Sequence, residues 1–340
     1  MITLKEIAAQ SGVSIATVSN ILNGKSNVSE ATKQRVMQIV KETGYRPNYM
    51  ARSLRSSKTN TIGVIIEDIT NFSSPLQIDG ITAALEYRGY KLILENLRYY
   101  TKYNGVPNNS YVESVQSAIQ EMLTIKVDGI VYVAGHTRNI DFLPSNLPIP
   151  LVVSYSGCNN PAYPYVVIDD VTSAFNMTEF LISKGHTSIG IIAGSKNNEH
   201  SDQRLIGWEK SMKSHGLSLD PSLIFFGDWK RESGYNCCKK LFETSKDITA
   251  IFCFNDLMAA GVYDYLKENN MTAGKDISVV GFDNREVSTF LVPQLTTMEI
   301  PLPQFGVCAA EALLKLIDEE KLEGQEVRVM CKLIERASVK

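Results

Sequence analysis

Residues 14–22, SIATVSNIL, set two kinds of side chain on opposite sides of a helical wheel. Thr17, Val18, Ile21 and Leu22 share one side, and Ile15, Ala16, Ser19 and Asn20 share the other. The first set is an ordinary core-facing stripe. The second has no fold-building task, yet it holds groups that can read a base edge: an Asn carboxamide makes paired hydrogen bonds to adenine, and Ile or Ala meets a thymine methyl in the major groove. The competing roles are core packing for Ile15, which borders Leu22, and plain solvation for Asn20.

A reading helix has to be held by others. Leu4, Ile7 and Ala8 give one apolar face, Ser11-Gly12-Val13 a turn, and Val36, Ile39 and Val40 a further face. Ser14 and Ser29 stand where N-caps belong, and Gly44 where a helix stops. The pattern predicts a compact three-helix unit in which the second helix enters the major groove. Pro47 then interrupts, Asn48 can cap a short helix over 48–55 (NYMARSLR), and 56–61 reads as a linker. Eight residues fall short of the roughly 12–15 that an isolated helix needs in water. A helix this short is therefore expected to fold only when it packs against a partner surface.

Charge supports the division. Residues 1–60 carry nine Lys/Arg against three acids, a net of +6, while the other 280 residues hold 25 basic and 34 acidic side chains, a net of −9. The whole-chain value of −3 hides a small polyanion-binding module joined to an acidic body. At 340 residues, with 44% hydrophobic and 21% charged, the chain can bury more than one core, which excludes a disordered or fibrous protein. The opening MITLKEIAAQ is too soon broken by charge for a signal peptide, and no run approaches the roughly 18 apolar residues of a membrane helix. Cys158, Cys237, Cys238, Cys253, Cys308 and Cys331 lack C-x-x-C spacing. The expectation is a cytoplasmic protein with reduced thiols, no metal and no cofactor.

Beyond residue 61 short apolar runs alternate with amphipathic helices. Strands are predicted at 62–66, 91–94, 129–133, 151–154, 188–193, 251–253 and 277–282, with helices at 75–88, 111–126, 171–184, 202–215 and 256–269. Such strands belong to parallel sheets covered on both faces, and about 280 residues is too many for one sheet. Two α/β lobes are expected. No G-x-G-x-x-G after a strand, G-x-x-x-x-G-K-[ST], G-x-S-x-G or H-E-x-x-H is present, which argues against an α/β enzyme with a DNA-binding head.

The motif V-S-x-A-T-V-S-x-x-x-N at 13–23 and the hinge pattern N-x-x-A-R-x-L at 48–54 resemble the DNA-binding head of the lactose/galactose repressor (LacI/GalR) family. The similarity continues through FLISKGHTSIGIIAG (180–194), FNDLMAAGV (254–262), DISVVGFDN (276–284) and LTTMEIPL (295–302). It implies an all-α helix-turn-helix head with a hinge helix, then an α/β two-lobed core like type I periplasmic binding proteins, built on two Rossmann-like parallel sheets. The expected bounds are 1–46 for the head, 47–60 for hinge and linker, 61–168 with 300–326 for the first lobe, and 169–299 with 327–340 for the second.

The resemblance also assigns roles. Leu54 would wedge into the minor groove of a palindromic operator beside Ala51, while Ser14, Thr17, Asn23, Ser29, Thr32, Tyr45 and Asn48 position the backbone. In the core, Arg204, Trp229, Asn255 and Asp283 would stand at the carboxyl ends of strands, where open α/β sheets bind ligands. They form a kit for a neutral polyhydroxylated molecule: Arg and Asn donate, Asp accepts, and Trp covers C–H groups. Asn255 has the competing role of a helix cap.

The chain departs from the family pattern in places. Phe72 follows Asn71 where N-P-F-F is usual, Ser154 replaces a frequent Asp, and 99–110 is long. Asn198 and His200 lie on a loop that contacts ligand elsewhere in the family, and His136 stands on another loop near the cleft. Phe72, Ser154 and Asn198 complete the expected effector set.

The function implied is a homodimeric, operator-binding repressor of carbohydrate-utilisation genes, switched by a sugar between the lobes. A nucleobase, nucleoside or phosphoprotein effector stays open, as does the sign of the switch.

Overall fold

The computed structural model describes residues 2–22, 24, 28–45, 58–245 and 247–340, in two compact units, 1–59 and 60–340. The expected hinge helix over 48–55, with Asn48, Ala51 and Leu54, lies outside the described residues, as does Asn23.

The first unit has helices α1 (Leu4–Ser11), α2 (Ile15–Leu22) and α3 (Glu30–Thr43). Thr3 and Glu6 close a capping box on α1, a reciprocal pair that satisfies two otherwise orphaned N–H groups. The Ser14 hydroxyl accepts from Thr17 N at 3.1 Å and the Ser29 hydroxyl from Thr32 N at 3.3 Å, so both serines cap as expected. Gly44 ends α3 in the left-handed region at φ +63°. Ile7, Ala8, Val18, Ile21 and Val36 form the small core.

The second unit holds two six-stranded sheets. The first has the order β13-β7-β5-β3-β1-β2 and is all parallel, from β1 (Thr61–Ile66), β2 (Lys91–Asn96), β3 (Gly129–Val133), β5 (Leu151–Ser154), β7 (Tyr165–Ile168) and β13 (Glu326–Val329). The second has the order β14-β12-β11-β10-β8-β9, from β8 (Ile189–Ala193), β9 (Ile224–Phe226), β10 (Ala250–Cys253), β11 (Ser278–Asp283), β12 (Thr296–Glu299) and β14 (Lys332–Ile334). Its edge strand β14 runs antiparallel to β12, so this sheet is mixed rather than purely parallel. A two-stranded ribbon, β4 (Asn139–Ile140) with β6 (Gly157–Cys158), stands beside the first sheet.

The helices of this unit are α4 (Ser74–Tyr87), α5 (Tyr99–Tyr103), α6 (Asn109–Ile125), α7 (Asp170–Ser183), α8 (Glu199–Ser214), α9 (Arg231–Thr244), α10 (Asp256–Glu268), α11 (Val287–Phe290) and α12 (Leu302–Ile317). All seven predicted strands and all five predicted helices are present, with ends shifted by a few residues. The central strands are buried on both faces, as near-continuous apolar runs require.

One expected boundary moves. Glu326–Val329 pairs with Tyr165–Ile168 of the first sheet, so the last crossing between lobes falls at residues 330–331, after β13, and not at 326/327. The reason is that β13 is a half-exposed edge strand, E-V-R-V, whose alternation carries no sign of which sheet it joins. Among the described residues no helix is long and apolar enough to cross a membrane.

Candidate functional site

The head presents the face that the wheel predicts. Val18 and Ile21 are buried, whereas Ile15 is 41% exposed and Ala16 and Asn20 are exposed, with Ser19 half-buried beside them. Ile15 is therefore not a core residue. Ser14 with Thr17, and Ser29 with Thr32, gather hydroxyls at the N-termini of α2 and α3, where unpaired N–H groups and the helix dipole favour an anionic oxygen. Tyr45 is half-buried and packs on the head's core.

In the second unit a cavity of about 400 Å³ opens at the carboxyl ends of the strands. Phe72, Asn198, Arg204, Trp229, Asn255 and Asp283 all line it. Ser154 does not: it is fully buried and donates to Gln77 Oε1 at 2.7 Å, against α4. Its neighbour Tyr155, at φ +70°, turns into the cavity instead. Successive residues leave a strand on opposite faces, so an expectation off by one residue lands in the wrong layer.

Three lining residues, Tyr155, Trp229 (φ +68°) and Asp283 (φ +106°), adopt backbone conformations that L residues rarely take. Such conformations cluster where a site over-determines them. The Trp229 ring is seated by Gly194, where an added Cβ would fall 1.9 Å from a ring carbon. Asn255 does cap α10, since Oδ1 accepts from Met258 N at 2.8 Å, and its Nδ2 donates to the Trp229 carbonyl at 2.9 Å. The one residue thus fixes both a helix N-terminus and the Trp that faces the cavity. Asn198 likewise caps α8.

Arg204 is held from behind. Its Nε donates to Asp170 Oδ1 at 2.7 Å, Nη1 donates to the Phe254 carbonyl, and its guanidinium stacks 3.5 Å from the Phe282 ring centroid. Burial works against an ionised Asp170, but Arg204 and His200 outweigh it and hold the carboxyl below its ordinary range. His200 Nδ1 lies 2.6 Å from Asp170 Oδ2, and the Thr137 backbone N–H donates to Nε2 at 3.3 Å. An Nε2 that accepts is unprotonated, so Nδ1 bears the proton given to Asp170. Thr137 belongs to the first lobe and His200 to the second, so this histidine links the lobes.

Asp283 is pushed up to about 6 by burial, against the pull of Arg204 and Arg285. Beneath it Asp256, raised by burial and by Asp283, accepts from Thr297 Oγ1 at 2.6 Å and from Arg285 N at 2.7 Å. The Arg285 guanidinium lies 4.6 Å from the Phe72 ring centroid, a second link between lobes. In the first lobe Glu67 is buried with Arg138, and burial there is outweighed by Arg138 and by hydrogen bonds from Gly135 N–H and Tyr132, so its carboxyl is lowered.

Asp170, Arg285, Glu67, Arg138, Tyr100 and Tyr155 were not singled out from sequence. Arg285 stands two residues after Asp283 in FDNR, and Tyr100 is the second residue of the long 99–110 segment. Those two left a signal; the buried partners Glu67, Arg138 and Asp170 left none.

A helix-turn-helix head followed by a two-lobed core with a ligand-sized cavity defines a ligand-responsive DNA-binding protein. Residues 3–48 match the model of bacterial regulatory proteins of the lacI family, and residues 178–339 match that of the periplasmic binding protein-like domain. The chain is 32% identical over 338 residues to the HTH-type transcriptional regulator RegA of Clostridium saccharobutylicum, covering 99% of this chain and 98% of that protein. It is 31% identical to catabolite control protein A of Priestia megaterium, and 33% identical to the HTH-type transcriptional repressor PurR of Histophilus somni strain 2336. These two matches each cover 100% of this chain and 99% of the relative.

A lac repressor dimer solved with operator and the anti-inducer ONPF shares the fold, with TM-score 0.80, 24% identity and coverage of 99% and 98%. The regulator CelR, solved with cellobiose, gives TM-score 0.64 at 25% identity, covering 99% of this chain and 100% of that one. The chain belongs to the lacI family of bacterial regulatory proteins. It is a transcriptional regulator with a DNA-binding head and a ligand-binding core, and its relatives are regulators rather than enzymes.

Proposed function

We propose that this regulator represses carbohydrate-utilisation genes as a homodimer on a palindromic operator, with a small neutral sugar between the lobes as its effector. The observation that carries the sugar reading is charge pairing. The charged groups that line or back the cavity cancel: Arg204 with Asp170, Arg138 with Glu67, and Arg285 beside Asp283. A charged ligand would be desolvated there with no free counter-charge. A polyhydroxylated neutral one finds donors in Arg204 and Asn198, an acceptor in Asp283, and the Trp229 face for its C–H groups. The cellobiose bound by CelR supports the same class.

Ile15, Ala16, Ser19 and Asn20 supply the base-reading edge. The Ser14/Thr17 and Ser29/Thr32 pairs, with Tyr45, supply backbone contacts. One head reads few base pairs, and two heads on half-sites about one helical turn apart require a two-fold dimer. A flat nucleobase is the competing effector, favoured by the aromatic walls Phe72, Tyr100 and Trp229.

A thermal-shift panel of cellobiose, maltose, lactose, glucose, hypoxanthine and guanine separates the two. A ligand at about 100 times its Kd adds about 2.7 kcal/mol, which for roughly 280 residues raises Tm by about 4–5 °C. A shift with a nucleobase and with no sugar refutes the sugar reading.

A further inference from the structure

The wall of Arg204, Trp229 and Asp283 leaves the other end of the cavity without an explanation. That end is built by α5, the start of the long segment after β2. Tyr99 is buried there, and its hydroxyl donates to the Gly105 carbonyl at 2.7 Å, so the segment folds back on itself. Its neighbour Tyr100 reaches the cavity.

Two donors converge on the Tyr100 oxygen. Asn71 Nδ2 lies 3.2 Å away, and its amide orientation is fixed because Oδ1 accepts from Ser73 N at 3.0 Å and from Ser73 Oγ at 2.9 Å. His136 Nδ1 lies 3.4 Å away. Which nitrogen of His136 bears its proton follows from the other side of the ring. There Arg138 Nη1 stands 3.4 Å from Nε2, and a guanidinium can only donate. Burial, and then the Arg138 charge, lower His136 to about 4, so the ring is neutral at pH 7 with its single proton on Nδ1. Arg138 is anchored by Glu67, whose oxygens also take Tyr132 Oη at 2.7 Å and Gly135 N at 2.8 Å. Gly135 keeps the space open, since a Cβ there would sit 3.1 Å from the Tyr100 oxygen.

A phenol oxygen has two acceptor positions and one proton. With both positions occupied, and with no other partner for the hydroxyl among the described residues, the proton is left for whatever fills the cavity. We propose that Tyr100 is a specificity-determining residue of the effector site: its hydroxyl donates to an acceptor atom on the effector, in an orientation set by Asn71 and His136. The cavity then reads a ligand with polarity along its length, donors toward Asp283 and an acceptor toward Tyr100. A site built to make one hydrogen bond rejects ligands that lack the partner atom. This inference rests on the cavity being the effector site, as the proposed function holds.

Tyr100→Phe removes the hydroxyl and keeps the ring. The test uses the full-length protein, with calorimetric titration of cellobiose, maltose, lactose, glucose, hypoxanthine and guanine, and with Asp283→Asn as a control on the site itself. For the probe that binds the unsubstituted protein most tightly, Tyr100→Phe is expected to weaken binding about tenfold, or about 1.4 kcal/mol, with the ligand-free Tm lowered by no more than about 2 °C, because Asn71 and His136 lose an acceptor. Undiminished binding by Tyr100→Phe beside clear loss in Asp283→Asn overturns the Tyr100 assignment and leaves the sugar reading standing. If only a nucleobase binds, the sugar reading falls, and the Tyr100 assignment stands or falls on the same comparison with that nucleobase. No binding by any probe counts against both.

Discussion

Replacing Asp170 by Asn tests whether the buried Arg204–Asp170–His200 cluster holds the cavity together. Asn keeps the shape and removes the charge, so Arg204, 2% exposed, loses the carboxylate 2.7 Å from its Nε. Breaking one side of a buried pair costs about 3–5 kcal/mol. Here the lower end applies, because Arg204 keeps the Phe254 carbonyl, the Phe282 ring and the nearby Asp283. Taking about 2.1 cal/mol/K of unfolding entropy per residue over roughly 280 residues, 3 kcal/mol lowers Tm by about 5 °C.

A second effect follows from proton bookkeeping at His200. In Asp170→Asn the new side-chain amide can donate to His200 Nδ1, which moves the ring proton to Nε2 and sets it against the Thr137 N–H. The link between lobes is then lost as well. Differential scanning calorimetry with effector titration reads both, and a Tm within about 1 °C of the unsubstituted protein would refute the argument, given the shift of about 5 °C expected. The double variant Asp170→Leu/Arg204→Met is expected to recover much of the stability, as buried pairs replaced by apolar side chains often do, while its effector binding stays lost.

Gly194→Ala puts a methyl against the Trp229 ring, so Trp229 must leave its seat; effector affinity is expected to fall at least about tenfold, the loss of roughly one packing contact of 1.4 kcal/mol, with a shift in tryptophan emission as the check. For Asp283, the folded-state value near 6 lies above the ordinary 3.8, so the group destabilises the fold progressively as pH rises from about 4 to 6. Calorimetry is expected to show that slope reduced in Asp283→Asn, and sugar binding that uses the ionised carboxylate should weaken as pH drops below about 6. In the head, Asn20→Ala is expected to cost about 1–3 kcal/mol on operator DNA and to relax the base preference at one position per half-site. A gel-shift salt series should show its slope unchanged, because no phosphate contact is removed.

The residues that were legible beforehand are those whose type conflicts with their surroundings. Ile15 and Asn20 sit on a helix face that the core does not need, and Asp283 closes an apolar strand, V-V-G-F-D. Seven strands were legible because parallel, doubly covered strands are continuous apolar runs, whereas the inner strands β7 (Y-V-V-I) and β12 (T-T-M-E), only four residues long, and the short edge strands β9, β13 and β14 were not. Asp170 reads as an ordinary first-turn acid beside the N-cap Asp169, and only the approach of α8 to α7 makes it the partner of Arg204. Glu67 and Arg138 are 71 residues apart, and no local pattern joins them. Ser154 was misplaced for a different reason: where a strand ends, the positive φ of the next residue decides which side chain enters the cavity.

The residues lining the cavity also join the lobes, and this bears on how a ligand there would act at a distance. Arg285 of the second lobe covers Phe72 of the first, and His200 accepts from Thr137 across the same cleft. An effector that hydrogen-bonds Arg285 competes with the Phe72 contact, while one that packs on Phe72 and Trp229 together adds to the lobe-to-lobe attraction. A ligand shifts the lobe arrangement only by its difference in affinity for the two arrangements. The sign of regulation therefore turns on which of these contacts the effector replaces. Arg285→Lys keeps the charge but loses the flat guanidinium that stacks on Phe72. If the reasoning holds, it alters the effector's influence on DNA affinity more than the effector's own Kd for the unbound protein, as gel shifts with and without effector would report. An unchanged ratio of the two DNA affinities would show that the Phe72–Arg285 contact carries no coupling.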